Sequence, residues 1–183
     1  MMTRISPIDP ASAPPAAKTL LDGVQKKLGV TPNMMRVMAT NPSVLGAYLG
    51  FAGALSGGLL GAKLHEQIAL AVAQANGCDY CLAAHSLLGK GAGLSAADIA
   101  AARAGTPADA RTAGIVALTR RLVETRGRAS AADIAAARAA SISDAEILEV
   151  IAAVALNVFT NYLNLTADTD IDFPPAAKLA QAA

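Results

Sequence analysis

The sequence predicts an all-α protein, and three observations support this fold class. Hydrophobic residues make up 54% of the 183 residues but aromatic residues only 3%, so alanine and leucine must fill the interior, which favours closely packed helices. β-branched residues are scattered, and no Asn-Gly turn joins two alternating runs, so strand signals are nearly absent. Glycines and prolines recur where helices are expected to end.

The helices follow in order from these interruptions. Gly29, Pro32, the Gly57-Gly58 pair and Gly77 bound the first elements. Further on, SAADIAAARA occurs twice word for word, and each copy begins with the Ser-x-x-Asp pattern of a capped helix start. Two copies are too few for a helical-repeat array. The predicted helices are about 14–28, 33–40, 43–56, 62–76, 78–90, 95–104, 107–126, 130–139 and 143–166.

The length of the chain predicts a single helical domain over residues 1–183. Its core is expected over about 14–167 and an extended C-terminal arm over about 168–183. Residues 37–62 carry no charge and exceed the length that spans a bilayer. The Asn41-Pro42 and glycine-pair breaks leave a helix of about 14 residues there, too short to span, so no membrane partner is expected.

Charge and targeting signals narrow the function further. The net charge is +1 and no basic run occurs, so a nucleic-acid partner is not expected. The N-terminus lacks the apolar segment of a secretory signal, which predicts a cytoplasmic protein with reduced thiols. Two cysteines three residues apart are then not expected to form a permanent disulfide.

The segment NGCDYCLAAH, residues 76–85, carries the only cysteines of the chain. Cys78 is predicted in the first turn of its helix, where the dipole and unpaired N–H groups favour a thiolate. Cys81 and His85 are four residues apart on the same helix, so the imidazole can reach the Cys81 sulfur. This spacing predicts thiol chemistry mounted on a helix.

Glu66 is the third group expected at this place. The helix before Gly77 must turn back, and Glu66 lies eleven residues before that glycine while His85 lies eight after it. At about 1.5 Å per residue the two side chains fall close together along the shared axis. Because Glu66 lies on an apolar stripe, it should be partly buried. A Glu–His–Cys proton relay is therefore expected.

Other interpretations of these residues carry less weight. A structural zinc site usually takes a second Cys or His pair that this chain lacks, so no metal is expected. A thioredoxin-type motif needs a βαβ pattern, and no strands are visible. The zinc interpretation would use Cys78, Cys81, His85 and either Glu66 or His65.

Two further sets of polar residues are expected to be structural. His65 is interpreted as a satisfied structural histidine. Asn157, Asn161 and Asn164 form a polar stripe on the last long helix. Such amides usually satisfy one another or face a subunit partner.

The segment EQIALAVAQANGCDYCLAAH resembles the carboxymuconolactone decarboxylase and alkyl hydroperoxidase D superfamily, in its peroxidase-related branch. LGVTPNMMRVMATNPSVL and NVFTNYLNLTADTDIDFP are also similar, so the resemblance covers roughly residues 5–175. It implies an alkyl hydroperoxidase D-like helical bundle in which an antiparallel helix pair carries the CxxC motif. It further implies a cofactor-free peroxidase that reduces organic hydroperoxides and assembles into trimers or hexamers.

The resemblance also implies residue roles. Cys81 corresponds to the peroxidatic thiol and Cys78 to the resolving one, with Glu66 and His85 shuttling protons. An external lipoyl- or thioredoxin-type dithiol would reset the disulfide. The helix dipole favours Cys78 as the acidic thiol and the His85 contact favours Cys81, and we follow the histidine. Tyr80 stands where alkyl hydroperoxidase D has a second histidine, and is expected to support the relay.

Two rival functions remain open from the residues alone. In a redox-sensing interaction module, the disulfide would change helix packing or oligomeric state without turnover. In a non-redox decarboxylase, lyase or isomerase, Glu66 and His85 would act as acid and base with the thiols incidental. Decarboxylases of the superfamily generally lack the cysteine pair, so CDYC argues against lactone decarboxylation.

Overall fold

The computed structural model describes residues 3–179, and over this range the chain forms α-helices and no strand. The predicted all-α class is therefore confirmed. Each predicted helix is present, with ends shifted by no more than a few residues. The helices are α1 Pro15–Leu28, α2 Asn33–Met38, α3 Pro42–Leu55, α4 Gly61–Asn76, α5 Asp79–Gly91, α6 Ala96–Ala104, α7 Ala110–Glu124, α8 Ala131–Ala139 and α9 Asp144–Ala167.

The duplicated sequence forms α6 and α8, and both begin with the predicted capping box. In α6 the Ser95 side chain accepts from the Asp98 backbone N–H, while the Asp98 carboxylate accepts from Ser95. Ser130 and Asp133 repeat this arrangement in α8. The same local hydrogen bonds thus set the start of both helices. Helix α7 begins later than predicted because Asp109 caps it by accepting from the Thr112 backbone N–H.

Helix α4 lies at the centre of the fold and packs against α5, α6, α7 and α9. Its residues from Gln67 to Ala73 are all buried, because neighbours cover it on several sides. The largest apolar cluster joins α4 to α7 and α9 through residues such as Ile68, Val72, Ile115 and Val150. The next cluster surrounds the two cysteines, so the thiols are part of the core rather than of a surface loop.

Two helices bear on the question of a membrane. The apolar stretch over residues 37–62 yields α3, of 14 residues, as the breaks predict. Within the described part of the chain, α9 is long and apolar enough to cross a bilayer by length and composition alone. Helix α9 instead packs against α3, α4, α5 and α7, and core helices of soluble proteins pass the same test.

The C-terminal segment beyond α9 forms no helix or strand over residues 168–179, and it packs on the body of the protein. Phe173 contacts the ring of Tyr80 edge-on, with centroids 5.5 Å apart. The Asp172 carboxylate accepts the backbone N–H of Asn33 at 2.7 Å. This segment therefore covers the end of the fold where α5 begins. The last part of the predicted arm, residues 180–183, lies outside the described residues.

Candidate active site

Helices α4 and α5 form the expected antiparallel pair through a two-residue link. Gly77 ends α4 with φ 65°, a left-handed conformation that glycine adopts without strain. The Cys78 backbone N–H then donates to Ala73 O at 3.0 Å, which completes the turn. The link is short enough to place the first residues of α5 directly beside the end of α4.

Cys78 is the N-cap of α5 and not, as the sequence predicts, a residue of its first turn. Its backbone is extended, with φ −90° and ψ 94°, and its sulfur accepts the Cys81 backbone N–H at 3.3 Å. The thiol thus occupies the position where Ser or Asp usually caps a helix. Because the helix N-terminus carries partial positive charge, this position stabilises a thiolate.

The two cysteines are free and buried, with exposed fractions of 1% for Cys78 and 2% for Cys81. A hydrogen bond from the Cys81 thiol lowers the pKa of Cys78 against the opposing effect of burial, and the Cys81 N–H and the charge of His85 add to this. The same hydrogen bond, together with burial, raises the pKa of Cys81. The directions of the two pKa shifts make Cys78 the thiol that ionises more readily.

Glu66 and His85 meet as their register predicts. Glu66 Oε2 lies 2.8 Å from His85 Nδ1, with 18% and 22% of the side chains exposed. When Glu66 is ionised, Nδ1 donates to it and Nε2 remains for proton transfer. Within residues 3–179, His85 makes no hydrogen bond to either sulfur, and the side-chain donor at Cys81 is Asn164 Nδ2. His85 instead acts on the pair through its charge on Cys78.

Tyr80 is buried, and its hydroxyl contacts residues outside α5. The hydroxyl accepts the backbone N–H of Met34 at 3.1 Å and also bonds with the Asp172 carboxylate. Burial is the main cause that raises the pKa of Tyr80. The side chain thus joins α2, α5 and the C-terminal segment.

Two asparagines of α9 are the site residues that the sequence analysis missed. Asn164 Nδ2 donates to Cys81 Sγ at 3.3 Å, and Asn161 lies close enough to the same sulfur to favour its ionised form. Asn157, on the same stripe, only donates to Ala153 O within its own helix. The three-to-four-residue spacing was a usable signal, but it did not reveal which core group the amides face.

Tyr48 of α3 is a further neighbour that the sequence did not indicate. Burial, together with the nearby Cys81 and Glu66, raises the pKa of Tyr48 to about 12. Its ring also lines an apolar groove of about 450 Å³ between α3 and α9, with Phe51 and Phe159. The phenol therefore connects this groove to the thiol site.

A second cavity, of about 290 Å³, opens beside Cys78 and Asn164. It contains two buried polar atoms without a hydrogen-bond partner on its lining residues, Asn164 Oδ1 and Thr169 Oγ1. Arg4 pairs with Asp168 on the rim of this cavity at 3.8 Å, and Arg103 lies near Asp79. The acidic residues of the rim are Asp79, Asp168 and Asp170.

His65 faces away from the thiols despite its position next to Glu66. Its Nε2 lies 2.9 Å from Glu149 Oε1, and the Glu149 carboxylate also accepts the backbone N–H groups of Leu59 and Leu60. This contact anchors the loop before α4 to α9. No cluster of three or more His, Cys, Asp or Glu side chains that could hold a metal ion occurs in the part of the chain that the structure describes.

Comparisons with known proteins support this assignment of the fold. The debrominase Bmp8, as a cysteine-to-alanine variant in complex with 2,3,4-tribromopyrrole, has a TM-score of 0.80 at 20% identity, covering 94% of this chain and 93% of its own. An uncharacterized peroxidase-related protein from Silicibacter sp. TM1040 has a TM-score of 0.79 at 21% identity, with coverage of 94% and 93%. The alkylhydroperoxidase AhpD core of Ralstonia eutropha JMP134, also an uncharacterized peroxidase-related protein, has a TM-score of 0.81 at 20% identity, with the same coverage.

The sequence comparisons agree with the fold. No curated protein gives a significant match to the chain. The model of the Carboxymuconolactone decarboxylase family matches residues 42–124, from the start of α3 to the end of α7. This segment contains the Glu66–His85 pair and both cysteines. Residues 42–124 thus match the carboxymuconolactone decarboxylase family, and the fold of the chain is like that of the alkylhydroperoxidase AhpD core.

Proposed function

We propose that the protein reduces organic hydroperoxides through a Cys78–Cys81 dithiol/disulfide cycle, with Glu66 and His85 moving the protons. One observation carries this proposal: the Cys78 sulfur caps the helix that carries Cys81, and a hydrogen-bonded Glu66–His85 pair joins this helix to the preceding one. A thiolate is the reactive form toward peroxides, and a positioned imidazole supplies the proton that the leaving oxygen needs. Peroxidase-related proteins of the same fold, at about 20% identity, add support.

In the first step, the Cys78 thiolate takes the proton of Cys81. The Cys81 thiolate then attacks the terminal oxygen of ROOH, so that an S–O bond forms and the O–O bond breaks. The RO⁻ leaving group takes a proton from the imidazolium of His85 to give the alcohol. Cys81 is left as a sulfenic acid, oxidised by two electrons.

In the second step, Cys78 gives its proton to the now neutral His85 and attacks the Cys81 sulfur. A disulfide forms, and the hydroxyl group of the sulfenic acid leaves with a proton as water. Glu66 keeps Nδ1 of His85 occupied, so that Nε2 carries the proton in both steps. An external dithiol of lipoyl or thioredoxin type then reduces the disulfide and is itself oxidised.

The cavity beside Cys78 is suited to a hydroperoxide group. The unpaired Asn164 Oδ1 can accept the O–H of ROOH, since a buried carbonyl oxygen without a partner is a ready acceptor. Thr169 Oγ1 offers a second hydrogen-bonding atom on the same lining. The volume of about 290 Å³ admits a small alkyl or aryl hydroperoxide.

The first test counts thiols on reduced, metal-free protein within a minute of adding one equivalent of tert-butyl hydroperoxide. Rapid loss of both thiols is expected, with alcohol released in equal amount. In Cys78→Ser, a sulfenic acid that dimedone can trap should accumulate on Cys81. If wild type and Cys81→Ser both consume hydroperoxide no faster than buffer alone, the proposed peroxidase activity is wrong.

The same variants decide between the peroxidase and an acid–base enzyme. Retention of a lyase or isomerase activity by both Cys→Ser variants, with its loss in Glu66→Gln, would assign the function to Glu66 and His85 alone. A disulfide that forms but is not reduced by any dithiol, with a changed elution volume on gel filtration, would instead indicate a redox-sensing module.

A second candidate, reductive removal of halogen from an aromatic ring, comes from the similarity to the debrominase. The same dithiol supplies the two electrons: an aryl bromide and two thiols give the arene, a disulfide and HBr. Bromide release from 2,3,4-tribromopyrrole, followed beside hydroperoxide consumption, separates the two. Faster thiol loss with the bromopyrrole than with the hydroperoxide would favour this candidate.

We also propose that the protein works in the cytoplasm as a homotrimer or homohexamer. Large apolar side chains on one side of α9 support an assembly, since Leu148 is 67% exposed and Tyr162 59%. Light scattering coupled to gel filtration measures the mass directly. A monomer at micromolar concentration would contradict the assembly.

A further inference from the structure

The chemistry of Cys81 depends on what can hold negative charge on its sulfur. Burial and the neighbouring Cys78 sulfur both act against ionisation of Cys81. Yet the proposed reaction requires this sulfur to carry the charge that attacks the peroxide. Some group must therefore favour the thiolate at this position.

Apart from Cys78, none of the nearby titratable groups forms a hydrogen bond with the Cys81 sulfur within residues 3–179. The Tyr80 hydroxyl is engaged by Met34 and Asp172, and His85 is bonded to Glu66. Tyr48 and Glu66 approach from α3 and α4, but a carboxylate repels a thiolate. No cationic side chain bonds to the Cys81 sulfur among residues 3–179.

The remaining polar groups at the sulfur are two carboxamides of α9. Asn164 Nδ2 donates to Cys81 Sγ at 3.3 Å. Asn161 Nδ2 approaches the same sulfur but falls short of a full hydrogen bond in the resting pair, where this buried N–H₂ group has no partner. An unpaired buried donor beside a sulfur gains a partner when charge develops there.

The orientation of the Asn161 amide is fixed from behind. Asn76, at the end of α4, donates its Nδ2 to Asn161 Oδ1 at 3.0 Å. Because a donor facing Oδ1 identifies the oxygen end of the amide, the Asn161 Nδ2 end is the one that faces the thiol site. Helix α4 thus orients the Asn161 donor through Asn76 and also carries Glu66.

We propose that Asn161 and Asn164 form a donor pair that stabilises negative charge on the Cys81 sulfur, with Asn76 as the positioning residue for Asn161. The inference rests on the proposed dithiol chemistry but adds residues to which no role has been assigned. Asn164 contacts the reacting atom and is a catalytic residue in that reaction, and Asn161 holds an unpaired N–H₂ group that can donate to the sulfur as charge develops there. At Cys81 these amides stabilise negative charge on the sulfur, as the N-terminus of the helix does at Cys78.

The test measures the pKa of Cys81 by the pH dependence of iodoacetamide alkylation in a Cys78→Ala background. With one thiol left, alkylation reports Cys81 alone and needs no peroxide. In that background, Asn164→Leu is expected to raise the Cys81 pKa by about one unit, which is about a tenfold slower reaction at pH 7. Asn157→Leu, on the same polar stripe but away from the sulfur, should leave the rate within about twofold of its parent.

A milder variant keeps the test valid if Asn164→Leu does not fold. Asn76 is only partly buried, and Asn76→Ala removes the contact that orients Asn161 without touching the sulfur. It should slow alkylation by about threefold, and circular dichroism verifies the fold. An unchanged Cys81 pKa in the folded Asn76→Ala and Asn164→Leu proteins would overturn the donor pair.

The failure of this inference is separable from the failure of the peroxidase. If the pKa shifts appear but hydroperoxides do not react, the donor pair stands and the proposed substrate is wrong. If hydroperoxides react at unchanged rates in Asn164→Leu within the two-cysteine protein, and the Cys81 pKa is also unchanged, the asparagines have no part in the chemistry.

Discussion

Replacing Tyr80 by phenylalanine removes one oxygen atom that joins three segments of the protein. The hydroxyl accepts the Met34 N–H at 3.1 Å and bonds with Asp172, while the ring packs edge-on against Phe173. The substitution leaves the ring contact in place. It therefore isolates the contribution of the hydroxyl, and separates an anchoring role from a role in proton transfer.

The expected loss follows from the two bonds. A partly buried N–H left without a partner destabilises the fold by about 1 to 2 kcal/mol. The bond to Asp172 adds little, because that side chain is exposed and can turn to water. For a chain of this size, about 1.5 kcal/mol corresponds to a decrease of about 3 to 6 °C in Tm. Hydrogen exchange at the Met34 amide should accelerate in parallel.

The matched control is Tyr162→Phe, since Tyr162 is 59% exposed on α9. It should change the free energy of unfolding by less than about 0.5 kcal/mol. Chemical denaturation measures both variants, and thiol loss with tert-butyl hydroperoxide measures the chemistry. A Tyr80→Phe protein with wild-type Tm but about tenfold slower thiol oxidation would refute the anchoring role and return Tyr80 to the relay.

Three further predictions test other parts of the structure. Gly58→Ala should lower the free energy of unfolding by about 1 to 3 kcal/mol, because its Cβ would collide with the Glu149 carboxylate, whereas Gly57→Ala meets open space and should be nearly neutral in urea unfolding. The backbone N–H of Ser143 and the guanidinium of Arg111 lower the pKa of Glu146 to about 2. Its stabilisation is therefore complete above about pH 4.5 and lost as the pH falls toward 2, and Glu146→Gln should flatten Tm against pH in that window. Asp170→Asn at the cavity rim should raise the rate with a small carboxylate-bearing hydroperoxide by about threefold relative to cumene hydroperoxide, and an equal change for both would contradict electrostatic selection.

Much of the fold could be predicted because its signals are local. The Ser95 and Ser130 capping boxes form within four residues, so the sequence alone places the starts of α6 and α8. Gly77 likewise ends α4 through a conformation that its own residue type permits. Helix α7 begins later than the predicted residue 107 because Asp109 caps it.

The helical register also brought Glu66 to His85, because two antiparallel helices with a short link leave little freedom in their alignment. The position of Cys78 differs by one residue from the prediction. A shift of one residue makes it the N-cap, and its sulfur then accepts a backbone N–H that a first-turn side chain would not reach.

The sequence by itself determined the helices, their caps and the meeting of Glu66 with His85, since these depend on neighbours in the chain or on one short turn. Only the tertiary structure decided that Asn164, 83 residues further along the chain, donates to the Cys81 sulfur. It also decided that the Tyr80 hydroxyl turns to Met34. Helical spacing specifies which residues share a face, but the packing of α9 against α4 and α5 specifies what that face meets.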